Sequence, residues 1–327
     1  MFWSTEKPEF PMISCKPHKL SVPVQNAVQR WTKEQSTALF ALILERTTDI
    51  DRQLVDKIYA RRLQFKGIEN IDVILHSHGG DIEAAYQLIT FIRPKCKKLR
   101  VFIPDWAKSA ATLFVLGADE IWMSESAELG PLDAQIPDPR DPDGLISALD
   151  EFRAIDYMRQ HGHEIFDEFT KLLIRRTRTK IRDVMDLAVQ YATHMMTPLY
   201  SQVDPLYFGE AHRALELSIA YGKRVMSRYG YRTWTARQIE DLLQSLTWGY
   251  PSHSFVIDYF EAQKLRLNVY LMKDQLEDDA HTIFEGINEC IGFLAVPEKK
   301  PVEVSGEPTG ISSTTETVTV GAAEGEA

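Results

Sequence analysis

Apolar residues follow two rhythms along the first 135 positions. Leu39-Phe-Ala-Leu-Ile-Leu44, Ile71-Asp-Val-Ile-Leu75, Leu99-Arg-Val-Phe-Ile-Pro104 and Glu120-Ile-Trp-Met123 are short runs of buried-strand length. Between them the spacing turns helical. Asp49-Ile-Asp51 offers an N-cap ahead of Leu54, Ile58, Ala60 and Leu63, and Ile82, Ala85, Leu88, Ile89 and Ile92 form a stripe that stops at Pro94. Ala110 to Gly117 reads as a helix of small residues. Strand and helix alternate at lengths suited to right-handed βαβ crossovers, so the predicted class is α/β with a parallel sheet.

The rest of the pattern is less regular. Residues 1–34 are Pro-rich and read as an irregular N-terminal arm, with the main domain spanning 35–296. Gln135 to Gly144 is a turn-rich connector. A helical insert is predicted over about 145–245 from groups such as Phe166/Phe169/Leu172/Leu173 and Val184/Leu187/Ala188/Tyr191. Residues 246–275 mix strand-like and short helical stretches. From 297 to 327 the Glu/Gly/Ser/Thr composition predicts a disordered acidic tail, because it buries too little to offset ordering entropy.

Composition narrows the function classes. Of 327 residues, 44% are apolar and 26% charged, as in an ordinary globular protein. The net charge is -10, but Glu303, Glu307, Glu316, Glu324 and Glu326 lie in the last 27 residues with no base among them; without them the balance is -5. That is no footprint for a nucleic-acid partner. Cys15, Cys96 and Cys290 are scattered and odd in number, which predicts neither a disulfide framework nor a zinc site and suits a reducing compartment. No apolar run reaches membrane-spanning length and no signal-peptide pattern opens the chain, so a cytoplasmic location is expected.

The candidate chemistry sits where two strands run into turns. The first turn is His76-Ser77-His78-Gly79-Gly80-Asp81 and the second is Pro104-Asp-Trp-Ala-Lys-Ser109-Ala-Ala-Thr112. Both fall at strand C-terminal ends, where open α/β sheets place their ligands. Two glycines permit positive φ and bare N–H groups. A serine hydroxyl at a helix N-terminus, followed by Ala110 and Ala111, lets a substrate carbonyl approach the backbone. Neither a P-loop nor a dinucleotide fingerprint is present, and no cofactor or metal is predicted. Side by side, the turns would pair a nucleophile with an oxyanion hole, Ser109 with Gly79, Gly80 and Ala110. Taken alone, a Gly-Gly pair is commonly a structural turn and a lone serine there an ordinary N-cap.

A serine needs a base. Lys108 adjoins Ser109 but should project away from it, beside Asp105 and near water. His253, in Trp248-Gly-Tyr-Pro-Ser-His253, is either a base or a loop hydrogen-bonder. His76 and His78 read as turn or strand-end hydrogen-bonders, and Asp133 as a turn cap or, less readily, the group that orients a base. The Arg175-Arg176-Thr-Arg178-Thr-Lys180-Ile-Arg182 run reads as a solvated helix face.

The blocks LHSHGGD, AKSAATLFVLGADEIWM, ELGPLDAQ and WGYPSHSFVIDYFEAQKLRLNV, in that order over about residues 36–290, resemble the Clp-fold serine proteinases of the ClpP and SppA type, and within them the serine dehydrogenase proteinase group. The resemblance implies a ClpP/crotonase-like stacked βαβ superhelix, a serine peptidase acting on a peptide or protein substrate through Ser109, and homo-oligomerisation. It also matches His253 to the group's own histidine. There are departures: His78 replaces the proline before Gly-Gly, Ser109-Ala110-Ala111 replaces Ser-Gly-Gly, and Leu132-Asp133 stands where ClpP has a histidine. SppA enzymes use a later lysine, for which Lys171 and Lys180 have possible spacing. No pyridoxal lysine with a phosphate-binding turn is legible, so the dehydrogenase in the group's name is not expected. A crotonase-like acyl-CoA enzyme and an inactive Clp-fold scaffold are the alternatives.

Overall fold

The computed structural model describes residues 20–35, 37–141, 144–178 and 180–296. The elements run α1 (Val22–Gln35), β1 (Ala38–Ile43), α2 (Arg52–Ala60), β2 (Asn70–His76), α3 (Ile82–Ile92), β3 (Lys98–Ile103), β4 (Trp106–Ala107), α4 (Ala110–Val115), β5 (Glu120–Met123) and β6 (Glu128–Leu129). There follow β7 (Gln135–Pro137), β8 (Leu145–Ser147), α5 (Ala148–Thr177), α6 (Ile181–Tyr200), α7 (Pro205–Arg228), α8 (Ala236–Trp248), α9 (Tyr259–Lys264), β9 (Val269–Leu271), α10 (Asp274–Glu285) and β10 (Cys290–Ala295). The main sheet has the order β10-β1-β2-β3-β5-β9. Its pairs are parallel except β1 with β10. The strands predicted at 39–44, 71–75, 99–104 and 120–123 are β1, β2, β3 and β5.

Period-two alternation assigns each strand residue to a face. On β1, Phe40 and Leu42 join the core built with α2, α3, α4, α7 and α8. Leu39, Ala41 and Ile43 join the opposite core, with Val24, Val28 and Trp31 of α1 and Ala280 and Ile283 of α10. Both faces are covered, which is why the strand runs are apolar throughout. Asp72, fully buried mid-strand, is the exception. Its carboxylate accepts from Trp31 Nε1 at 2.9 Å, Thr37 Oγ1 at 2.6 Å and both Nε (2.7 Å) and Nη2 (2.6 Å) of Arg100. The carboxylate thus fastens α1 to the sheet, and removing one side of such a buried pair costs about 3–5 kcal/mol.

Two expectations change. Residues 22–35, read as part of an irregular arm, form a helix: Val24, Ala27, Val28 and Trp31 are spaced for one buried stripe, which the surrounding prolines obscured. Residues 1–19 and the predicted tail at 297–327 lie outside the described residues. The cysteines are not all unpaired, for Cys290 is disulfide-bonded. Cys96 is a buried free thiol, pushed up to about 11 by desolvation.

Residues 148–248 supply four helices. α5 and α6 form a hairpin, and the 30 residues of α5 extend about 45 Å at 1.5 Å per residue. Arg175, Arg176, Arg178, Lys180 and Arg182 lie exposed around its tip. Among the described residues, no helix is long and apolar enough to cross a membrane.

Candidate active site

β1, β2, β3 and β5 end on the same side of the sheet, and the loops that follow them pack on one another. Ile50, after β1, donates its N–H to Gly79 O at 2.7 Å and accepts that of Asp81 at 2.8 Å. Beyond β2 and β3 the pairing continues as a Ser77–Ala107 bridge, with Ser77 N on Trp106 O and Lys108 N on Ser77 O, both at 3.0 Å. This extra ladder brings the two predicted turns together. A Cβ built on Gly79 would lie 2.8 Å from Ser109 Cβ and 3.2 Å from Ala110 N. Only a residue without a side chain fits there, and its φ of +115° selects glycine a second time.

Ser109 has φ 52° and ψ -119°, outside the regions L-residues ordinarily occupy. Such backbone costs on the order of 1–3 kcal/mol and persists only where its surroundings over-determine it. Gly79 confines it on one side and Gly130 on the other, where a Cβ would lie 3.1 Å from Ser109 N. Thr112 Oγ1 lies 2.9 Å from both the Ala107 and Gly130 carbonyls, free to donate to either, and accepts the Gly130 N–H at 3.3 Å. Ser109 makes no side-chain cap for α4, whose first N–H groups are therefore not covered by its hydroxyl.

The two glycines have different environments. Gly79 N–H donates to Ser77 Oγ at 3.0 Å. Among the described residues, the N–H groups of Gly80 and Ala110 make no hydrogen bond. Gly80, at φ +131°, packs against the Ile50 backbone: a Cβ there would lie 2.6 Å from Ile50 O. Any side chain at Gly80 therefore disturbs the fold as well as the turn.

The segment after Gly130 carries the charged partner. Leu129 pairs with Ile257 through reciprocal hydrogen bonds of 2.9 and 3.0 Å, drawing the 250–257 loop onto the strand that abuts Ser109. In that loop His253 Nδ1 lies 3.0 Å from Asp133 Oδ1. Asp133 is 1% exposed and its second oxygen accepts from Ser147 Oγ. The aspartate read mainly as a turn cap is thus the histidine's partner. A carboxylate only accepts, so in the neutral ring this contact calls for the proton on Nδ1 and leaves Nε2 as the acceptor.

The lysines lie elsewhere. Lys108 diverges from Ser109 as expected, but it pairs with Glu128 at 2.6 Å rather than with Asp105, is largely buried, and lies 5.3 Å above the Trp106 ring. Lys171 is 23 residues along α5, about 35 Å from the Ser147 end, and Lys180 is beyond its far terminus. Within one subunit neither belongs to the cluster around Asp133.

His76 and His78 are not the hydrogen-bonders the sequence suggested. Among the described residues, the buried His76 Nδ1 and His78 Nε2 make no hydrogen bond, although His76 Nδ1 lies 3.6 Å from Asp105 Oδ2. The His78 ring lies 4.5 Å from Trp106, and that of His76 lies 4.6 Å from Phe284 and 5.8 Å from Trp106. Burial, with His78 and Arg46 nearby, pushes His76 down to about 4 from 6.5. Burial likewise lowers His78. The unfolded chain therefore binds more protons between those two values, so the contribution is complete above pH 6.5 and lost as pH falls towards 4. For His76 alone the loss from pH 7 to pH 5 is about 2 kcal/mol, at 1.36 kcal/mol per unit. Urea denaturation at the two pH values should show that difference in the wild type, reduced by about that amount in His76→Phe. An equal pH dependence in both would show that His76 titrates normally.

Comparison with known proteins follows the same lines. Residues 33–187 match the family described as ClpP-like SDH-type serine proteinase. An uncharacterized protein of Methanocaldococcus jannaschii, MJ0137, is 42% identical over 116 residues, covering 36% of this chain and 37% of that protein. A second from the same organism, MJ1495, is 41% identical over 66 residues, 20% of this chain and 23% of its own. The chain thus spans well under half the length of either relative. Among solved structures, a mutant of the 1510-N membrane-bound stomatin-specific protease superposes with a TM-score of 0.41 at 12% identity, covering 78% of this chain and 92% of that one. ClpP1 from Listeria monocytogenes gives 0.37 at 13% identity, covering 74% and 95%. Over residues 33–187, the segment that holds β1, β2, β3, β5 and both turns, this chain is similar to the ClpP-like SDH-type serine proteinase family.

Proposed function

We propose that the protein is a serine peptidase in which Ser109, His253 and Asp133 act together. The observation that carries this reading is the His253–Asp133 hydrogen bond, made on the segment whose Gly130 abuts the Ser109 backbone. His253 Nε2 takes the Ser109 proton as Oγ attacks the carbonyl carbon of a peptide or ester. Asp133 stabilises the resulting imidazolium and keeps the ring in the tautomer that presents Nε2. The N–H groups of Gly80 and Ala110 receive the oxyanion of the tetrahedral intermediate, a role in which one donor is worth about two to three orders of magnitude in rate. Gly79 brings the turns together and spends its own N–H on Ser77. The imidazolium then protonates the leaving amine, and water, deprotonated by the same histidine, hydrolyses the acyl-enzyme.

Ser109→Ala should abolish fluorophosphonate labelling and peptide or ester turnover with an unchanged circular dichroism spectrum. His253→Ala should lower turnover by about three orders of magnitude, whereas Lys108→Ala, Lys171→Ala and Lys180→Ala keep most of it. Labelling that survives Ser109→Ala, or no labelling of the wild type, would favour the crotonase-like or scaffold alternatives. A large loss from Lys171→Ala or Lys180→Ala alone would instead favour a serine–lysine dyad built across subunits.

The active form is proposed to be a homo-oligomer joined through the α5–α6 hairpin. α6 buries Val184, Ala188 and Met196, while Ile181, Leu187, Val189 and Met195 stand exposed along its length. A monomer would leave those side chains to water, and a second copy of the hairpin would cover them. Sedimentation at micromolar concentration should give a multiple of 37.4 kDa that falls towards the monomer in Leu187→Glu/Met195→Glu. A wild-type monomer would contradict it.

A further inference from the structure

The first turns of α5 touch the acid and the loop of the base at once. Ser147, the N-cap of α5, accepts Leu149 N–H on its Oγ at 3.1 Å and donates its own proton to Asp133 Oδ2. Because Oγ is already an acceptor at the helix terminus, its proton is directed at the carboxylate. Its place is set by the backbone: β7 and β8 pair Gln135 with Ser147, and Ala148 N–H donates to Ala134 O at 2.8 Å. Six residues on, Arg153 donates from Nη1 to Pro251 O and from Nη2 to Tyr250 O. Those carbonyls immediately precede Ser252 and His253.

We infer that Ser147 and Arg153 are positioning residues for the His253–Asp133 pair. Two donors, one on each oxygen, fix the plane of the Asp133 carboxylate and aim Oδ1 at His253 Nδ1. Without the Ser147 hydroxyl the vacated cap leaves Leu149 N–H to compete for Asp133, drawing the carboxylate from the imidazole. Arg153 acts from the other side. Its planar fork holds two successive carbonyls, which a lysine, with a single ammonium, cannot do in the same geometry. The chain leaves α8 through Gly249 and Pro251, so this fork is what holds the His253 loop against α5.

The catalytic consequence rests on the proposed roles of Ser109, His253 and Asp133, but the positioning can be read without turnover. In full-length protein labelled with 15N-histidine, at a pH where the ring is neutral, His253 should show a protonated Nδ1 and an unprotonated Nε2. Ser147→Ala and Arg153→Lys should move both nitrogens towards averaged tautomer shifts, and Ser147→Thr should restore the wild-type pattern. With an ester substrate, both disruptive variants should lower kcat about 10- to 100-fold with KM within about twofold. Wild-type 15N shifts in Arg153→Lys and in folded Ser147→Ala would overturn the assignment. If Ser147→Ala does not fold, Arg153→Lys and Ser147→Thr decide it. Altered shifts without any Ser109-dependent turnover would retain the positioning and reject the peptidase reading.

Discussion

The site depends on one close approach, between the backbone of Gly79 and that of Ser109. At 2.8 Å from Ser109 Cβ there is no room for a second Cβ, so the two strand-to-helix turns meet only because one of them has none. The approach is imposed by the sheet. β2 and β3 run parallel, and the ladder carries past their ends through Ser77 and Ala107, so the residues that follow each strand emerge side by side. Ser109 then takes a backbone conformation that would cost an isolated serine on the order of 1–3 kcal/mol. Thr112, Gly130 and the ladder hold it there, with the apolar core beneath α4 as their foundation.

Several charged groups around this framework are paired or buried. Asp72 closes the far face of the sheet by taking every donor that Trp31, Thr37 and Arg100 offer it. Lys108, the cation next to the serine, is occupied by Glu128 and lies over Trp106. His76 is held neutral by burial among aromatic rings. His253, on a loop, has one nitrogen on a buried carboxylate and, among the described residues, no hydrogen bond on the other. α5 links this pair to the long hairpin, since the same helix that holds Asp133 and the His253 loop continues for 30 residues to α6.

Much of this arrangement was legible in the sequence because its cause is local. Buried parallel strands are short apolar runs, and a strand end followed by Gly79-Gly80 or by Ser109-Ala110-Ala111 marks a turn directly. α1 was not legible, since its helical stripe is embedded among prolines and needs α10 to pack against. Nor was β10, whose place depends on pairing with β1 from the other end of the chain. Asp133 could be read as a turn cap or as the group that orients a base, but not matched to His253, from which 120 residues separate it. Ser147 and Arg153 left no signal at all, because N-cap serines and helix-surface arginines are common and their targets are distant in sequence. Spacing could place the two glycines together, but their division of labour needed the Ser77 hydroxyl and the Ile50 backbone in view.

The most direct measurement is a crystal structure of the protein after reaction with a fluorophosphonate. The account predicts phosphorus bonded to Ser109 Oγ, the phosphonyl oxygen within about 3.1 Å of both Gly80 N and Ala110 N, and His253 Nε2 facing the Ser109 oxygen. An adduct on another residue, or one on Ser109 with its phosphonyl oxygen turned away from both N–H groups, would contradict it.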